Sequence, residues 1–416
     1  MNFKKLSYVF LVLILVLFAS CSSNTASDKD ITAFSFPQGT GVITDTSPTV
    51  GSIAVTVPFG TAVTALVATF TTTGASVAVD GTPQVSGTTQ NNFSSPVHYI
   101  VTAQDASTKD YTVTVTVAGP TVGQVVPFTA NGVTFNMVYV PGGLSFLAGL
   151  NDDEGASTVN DAYWIGETEV TYELWSTVHT WAIANGYQFA NVGVKGSTGT
   201  GNVTQPVVAI NWRDAMVFTN ALTEWYNATN FTNYTCAYYT DSGYTAPIRT
   251  ATGSLTVTRS TPGSQDAPYV LSTASGFRML LSNEWELAAR YKGADSSNGA
   301  YQYPAGSGYY WTPGSYASGA TADYNNALAT QAVAWYSANS SETNDVKLLA
   351  PNTLGLYDMS GNVWESVFDW SGSDIRAERG GYCWNNAEFL RVGVASYDHP
   401  ANYGGGHGFR IGRSDL

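Results

Sequence analysis

GLYDMSGNVWE, residues 355–365, is followed by RGG at 379–381 and by GFR at 408–410, close to the C-terminus. Asp, Ser, Gly and Asn crowded into a few positions predict a bent backbone segment held by hydrogen bonds. Residues 300–416 around it are rich in Trp, Tyr, Asn and Gly, with little regular periodicity.

Upstream the pattern becomes regular. TFNMVYVPGGLSFLAG (134–149) predicts two strands around a Pro-Gly-Gly turn. In EVTYELWSTVHTWAIANGY (169–187), Val170, Leu174, Val178 and Trp181 form one helical stripe, with Thr171 as cap and Gly186 as stop. NWRDAMVFTNALTEWY (211–226) predicts a second amphipathic helix, and LSNEWELAARYKG (281–293) a short third one with Ser282 as N-cap. The long loops between them, 186–205 and 227–276, are of a length that is usually functional or disordered.

Further upstream the text alternates with period two: GSIAVTVP (51–58), SVAVDG (76–81), PVHYIVTAQD (96–105) and KDYTVTVTV (109–117). About seven antiparallel strands over 31–117 predict an all-β sandwich. Residues 118–132, beginning AGPTVGQ, read as a linker, and the sandwich as a spacer. MNFKK and the apolar run 6–20 read as a signal segment ending at FASC, which resembles a bacterial lipobox, with Phe18 where Leu is usual; that resemblance implies Cys21 as the lipidated residue. Acyl chains at Cys21 then anchor the protein to the membrane through a tether over 21–30.

Charged residues are 12% of the 416-residue chain and the net charge is -14. No Lys/Arg cluster interrupts that field, which excludes nucleic acid as a partner and gives the folded part no attraction to anionic lipid. Cys236 and Cys383 are too isolated to form a disulfide framework or a zinc site, and pair only if the fold brings them together.

VYVPGGLSFLAG, GETEVTYELW, PVVAINWRDAMVFTNAL, FRMLLSNEWELAAR, NTLGLYDMSGNVWE, RGGYCW and GFRIGR occur here in an order that resembles formylglycine-generating-enzyme-type domains. The resemblance covers about 133–413 and implies a C-type-lectin-like α+β fold over 133–416, behind a cadherin- or Ig-like sandwich. It also implies a structural calcium site at Asp358, Gly361, Val363 and Glu365, with Asp323 a weaker second candidate. The family's oxidases use a copper-binding thiol pair five and ten residues after the first Gly of RGG; here those positions are Asn385 and Leu390, so no copper and no oxidase activity are expected. The family's iron-dependent branch needs a His-rich motif, and this chain has only His98, His179, His399 and His407. His399 and His407, without a Cys or a third His, make a poor metal set.

Within that family, SYDH (396–399) and NYGGGH (402–407) resemble the variable segment of diversity-generating retroelement lipoproteins of Treponema type. That resemblance implies a ligand-binding face made of Tyr382, Trp384, Asn385, Phe389, Ser396, Tyr397, Asp398, His399, Asn402, Tyr403 and His407. Tyr and Trp offer rigid contact area and Ser, Gly and Asn adapt, as in antibody paratopes. The expected protein is a lipid-anchored, non-catalytic component of the cell envelope, at the outer membrane or cell surface, with a protein, small-molecule or glycan ligand. An enzyme or enzyme accessory of the same family, or a structural envelope lipoprotein, are the alternatives.

Overall fold

The structure, a computed structural model, describes residues 25–415, so the signal segment and Cys21 lie outside the described residues. The chain divides into two compact units between Pro120 and Thr121.

The first unit is built on an eight-strand hydrogen-bonded succession in the order Thr69–Thr72, Ile31–Phe36, Gly39–Ser47, Val50–Val57, Thr108–Val117, Val97–Thr102, Ser76–Val79 and Thr82–Pro83, with Leu66–Val67 and Gln90–Asn91 as a separate short pair. Phe34 and Phe70 nevertheless touch Tyr99, at 5.3 and 6.0 Å between ring centroids, although their strands stand four or five places apart in that order. The succession therefore closes on itself as a sandwich. Alternation sets its faces: in Val50–Val57 every second residue is buried, and Tyr111 and Val113 on the last strand are fully so. One pairing departs from the antiparallel expectation. Val50–Val57 runs parallel to Thr108–Val117, in the register Asp110↔Val50 to Val117↔Val57. A parallel neighbour needs a crossover connection, which residues 58–107 supply.

The second unit begins earlier than the sequence reading placed it. Val125–Ala130, assigned to a linker, pairs with Val133–Val140. Asn131 and Gly132 both have positive φ (+49° and +81°), the two-residue turn whose twist suits a hairpin. The sheet continues through Tyr163–Gly166 and Ile411–Ser414 to Phe277–Met279, so the chain's last strand lies between two distant ones. A second sheet has the order Ala395–Asp398, Ile375–Arg379, Trp364–Ser371, His407–Phe409. GFRIGR thus serves both sheets, its first half in one and its second half in the other, with Arg410 at the junction.

Among the described residues the unit holds four α-helices: α1 (Tyr172–Ala184), α2 (Trp212–Asn230), α3 (Ser282–Arg290) and the short α4 (Ala327–Gln331). Thr171 caps α1 by accepting from Leu174 N, and Leu174, Trp175, Val178 and Ala182 are buried. At α2, Asn211 and Asp214 exchange hydrogen bonds as a capping box, and the helix runs a turn beyond the predicted Tyr226. Ser282 is the first residue of α3 rather than its cap. Glu284 accepts from Leu281 N at 2.8 Å, and Ser282 Oγ is instead taken by Arg379. Among the described residues no helix is long and apolar enough to cross a membrane.

The long loops are ordered by buried polar groups of α2. Arg213, fully buried, pairs with Asp266 at 2.7 Å and donates to the carbonyls of Thr252, Ser254 and Thr256. Asn220 donates to the carbonyls of Tyr238 and Ile248. Leaving any of these buried groups unpaired would carry a desolvation cost of about 1–3 kcal/mol, which fixes the loops as firmly as packing does.

Candidate functional site

Two regions of the second unit hold the residues singled out in the sequence. The first is the bend 355–365. Asp358, Gly361 and Asn362 are left-handed (φ +55°, +81° and +60°), which produces the predicted bend. Asp358 Oδ2 accepts from Lys347 N at 2.8 Å. Glu365 is more committed than expected: it takes three contacts from Arg410, the shortest 2.7 Å, and one from Trp285 Nε1 at 2.7 Å. Arg410 spends its other donors on the carbonyls of Gly166 and Tyr357. Gly361 and Val363 are buried in the same bend.

Sequence reasoning missed Glu169. It lies three residues before α1, inside the GETEVTYELW stretch, where no spacing singled it out as a site residue, and is 1% exposed. Its Oε2 meets Asn362 Nδ2 at 3.3 Å, while Oε1 is buried without a partner. Burial holds Glu169 well above the ordinary carboxylate range, and the charges of Asp358 and Glu365 push the same way against Arg410. Burial likewise pushes Asp358 up to about 6. Glu169, Asp358 and Glu365 bring three buried carboxylates near Arg410, one with an orphaned oxygen, and oxygen donors are what a hard cation takes. Arg410 ion-pairs with Glu365, and among the described residues the three carboxylates do not close to within 4.8 Å of one another. Glu169 also borders a cavity of about 230 Å³ whose walls include Glu167, Glu173 and Lys347. Asp323 does not join this set; its carboxylate closes a local turn onto Asn325.

The second region is 382–407. Trp384, Phe389, Tyr397 and Tyr403 are 49%, 41%, 48% and 63% exposed, on a frame in which Leu390, Val392 and Phe409 are fully buried. The Tyr382 ring is half-buried and lies 5.6 Å from Trp384, edge to face. Gly406 passes directly beneath it: a Cβ there would come within 2.3 Å of the Tyr382 ring. Asn385 is structural, accepting from Tyr382 N at 3.0 Å. Phe389 stands apart in sequence on the 3-10 turn Ala387–Phe389.

Asp398, His399, Asn402 and His407 gather around a small cavity, with Ser396 half-buried on the strand that leads to them. His407 differs from the exposed contact residue expected of it. Its side chain is 27% exposed, and Nδ1 sits 2.7 Å from Glu378 Oε1. Burial opposes its charged form, but the hydrogen bond and charge of Glu378, with Asp398 beyond, outweigh it and raise the imidazole above its ordinary value.

The two cysteine thiols of the second unit are sequestered. Cys236 and Cys383 are buried and unpaired, and burial pushes the Cys383 thiol up to about 12. Leu390 is part of the core. His98 pairs with Asp110 in the first unit, and His179 stacks on Trp175 in α1.

The residues match known proteins in both units. A family model described as the sulfatase-modifying factor enzyme 1-like domain matches residues 123–414, and one described as the N-terminal domain of SGBP matches residues 31–115. Among solved structures, Treponema denticola variable protein 1 is 27% identical with a TM-score of 0.51, over 70% of this chain and 99% of that one. CarF is 24% identical with a TM-score of 0.50, over 68% of this chain and 99% of that one, a likeness of fold. PvdO from Pseudomonas aeruginosa is 19% identical with a TM-score of 0.44, over 71% and 100%. Comparison with curated proteins finds no match.

Proposed function

Because this chain belongs to the sulfatase-modifying factor enzyme 1-like family through residues 123–414, yet has Asn385 and Leu390 where an oxidase of that kind would hold thiols, we propose that it is a non-catalytic binding protein. It is a lipoprotein of the cell envelope, anchored through Cys21, with the N-terminal Ig-like domain as spacer and 382–407 as its ligand-binding segment. The observation that carries this reading is the exposure of four aromatic side chains, Trp384, Phe389, Tyr397 and Tyr403, within one segment of a well-packed unit. Exposed aromatics beside Ser, Asn and Gly are the chemistry of an adaptable contact surface. A few of them desolvated in a complex would each contribute about 2 kcal/mol or more. Likeness to a protein named as variable supports the further reading that this segment is exchanged between copies while its frame stays. The ligand is a protein, a small molecule or a glycan, and neither copper nor nucleic acid takes part.

A structural calcium ion belongs to the same proposal, held by Asp358, the carbonyls of Gly361 and Val363, and Glu365, with Glu169 as a further carboxylate. Its chemistry there is charge neutralisation of the bend. Calcium added to chelator-treated protein then raises the melting temperature, and an unchanged melting curve removes the ion from the account.

The test of the binding role replaces 382–407 by the corresponding segment of another variable protein and screens both chains on one glycan and protein array. Ligand choice follows the segment if the proposal holds. Identical profiles from the two chains would sink it.

A further inference from the structure

A second set of ionisable groups converges outside the bend. Glu378 lies on the strand Ile375–Arg379, Asp398 ends the neighbouring strand Ala395–Asp398, and His407 begins His407–Phe409. Sheet order brings them together, and one donor atom from each lies within 4.8 Å of the others. His407 Nδ1 is 2.7 Å from Glu378 Oε1 and 3.9 Å from Asp398 Oδ2. Asp398 Oδ1 is occupied by His399 N and Asn402 Nδ2, at 2.8 and 2.6 Å, which leaves Oδ2 for the cluster.

A cavity of about 10 Å³ opens between these groups, with Trp212, Ser366, Arg376 and His399 also in its walls. That is roughly the volume of one water-sized sphere, too small for an organic ligand and suited to a single ion. Arg376 adds positive charge to the wall, but its Nη atoms donate to the carbonyls of Phe368 and Asp266. Its guanidinium is also clamped between the Trp212 and Trp370 rings, 3.6 Å from each centroid. His399 Nδ1 accepts from Ala401 N at 3.2 Å, so its proton sits on Nε2 and it acts as a donor at the rim.

A plain ion pair satisfies His407 and Glu378 but leaves Asp398 Oδ2 with only the 3.9 Å approach of His407 Nδ1. One divalent cation serves both carboxylates and the imidazole at once. We propose that Glu378, Asp398 and His407 form a site for a divalent transition cation of the zinc type, with the fourth position open to water. Imidazole with carboxylate is a donor set for zinc-like ions, and bonds of about 2.0–2.2 Å put ligand atoms roughly 3.5 Å apart. The His407–Glu378 distance widens and the His407–Asp398 distance narrows to reach that value, each by less than about 1 Å, within the range of side-chain rotation. The ion would tie both ends of 398–407 to the strand carrying Glu378, stiffening the loop that bears Tyr403. The inference does not depend on a ligand for 382–407.

The experiment titrates ZnCl₂ by calorimetry into the full-length chain, free of affinity tags and stripped with chelator, in excess CaCl₂ to block oxygen-only sites. The expected result is one Zn²⁺ per chain, with affinity weakened at least about tenfold in both His407→Gln and Asp398→Asn. Co²⁺ in place of Zn²⁺ gives a visible absorption band that both variants lose. Asp398→Asn preserves shape and guards against a variant that merely fails to fold, and near-ultraviolet circular dichroism checks folding in each. A wild-type chain that takes up no stoichiometric Zn²⁺ in excess Ca²⁺ overturns the site, as does uptake unchanged in both variants.

Discussion

Lys109 and Arg410 are both buried cations, one in each unit, and their partners differ in kind. Lys109 reaches Asp30 and Asp45, at 2.8 and 2.7 Å, and both carboxylates are 53% exposed. Arg410 reaches Glu365, which is as buried as itself. Lys109 is the one buried charge of the described first unit, whereas Arg213, Arg290 and Arg410 are all wholly buried in the second, with Asp266, Glu286 and Glu365 as buried partners. The first unit is built of alternating strands, whose period of two already sends each apolar residue inward. The second consists largely of loops, and directional bonds from buried guanidinium groups hold those loops where no periodicity would.

The sharpest way to break this contrast is Arg410→Ala. It strands a buried Glu365 and frees the carbonyls of Gly166 and Tyr357, so the second unit should lose about 3–5 kcal/mol. Urea denaturation followed by Trp fluorescence reads this, because all Trp residues lie in the second unit. A loss under about 1 kcal/mol would mean that the buried pair does not organise the loops.

A smaller effect is expected where frame and display segment meet. Gly406→Ala forces the Tyr382 ring aside and should cost about 1–3 kcal/mol. Unchanged stability would show that the ring moves freely and that 404–407 is not bound to the frame. The smallest effect belongs to Lys109→Met, within about 1 kcal/mol, since Asp30 and Asp45 return to water once the ammonium is gone. Thermal unfolding followed by far-ultraviolet circular dichroism checks it, and a large destabilisation would erase the difference between the units.

Much of the architecture was legible in short stretches. Thr171 announced its helix, because a cap acts over three residues, whereas 211–226 was read from its apolar pattern and the Asn211 cap emerged only in the structure. The alternation of Val50–Val57 announced which side chains are buried. Asn131-Gly132 was equally legible as a hairpin turn, but the strand before it is short and was absorbed into the linker. Ser282 misled for a similar reason: Glu284 satisfies the first turn from within the helix, leaving the hydroxyl for Arg379. The candidate sites were legible only in part. The bend at 358–365 was readable from its composition, whereas Glu169 joined it from nearly two hundred residues earlier in the chain.

Local conformational preference acts over a few neighbours, so the sequence by itself determined the strands of the first unit, the cap of α1, the bend, and the aromatic character of 382–407. Burial and charge pairing depend on which strands become neighbours. Only the tertiary structure decided that Trp384 and Phe389 face outward, that His407 turns in toward Glu378 and Asp398, and that Glu169 comes to rest beside Asp358. Those outcomes follow from the pairing of Trp364–Ser371 with Ile375–Arg379 on one side and His407–Phe409 on the other. Such a pairing is chosen by the free energy of the whole unit and is written in no single stretch of it.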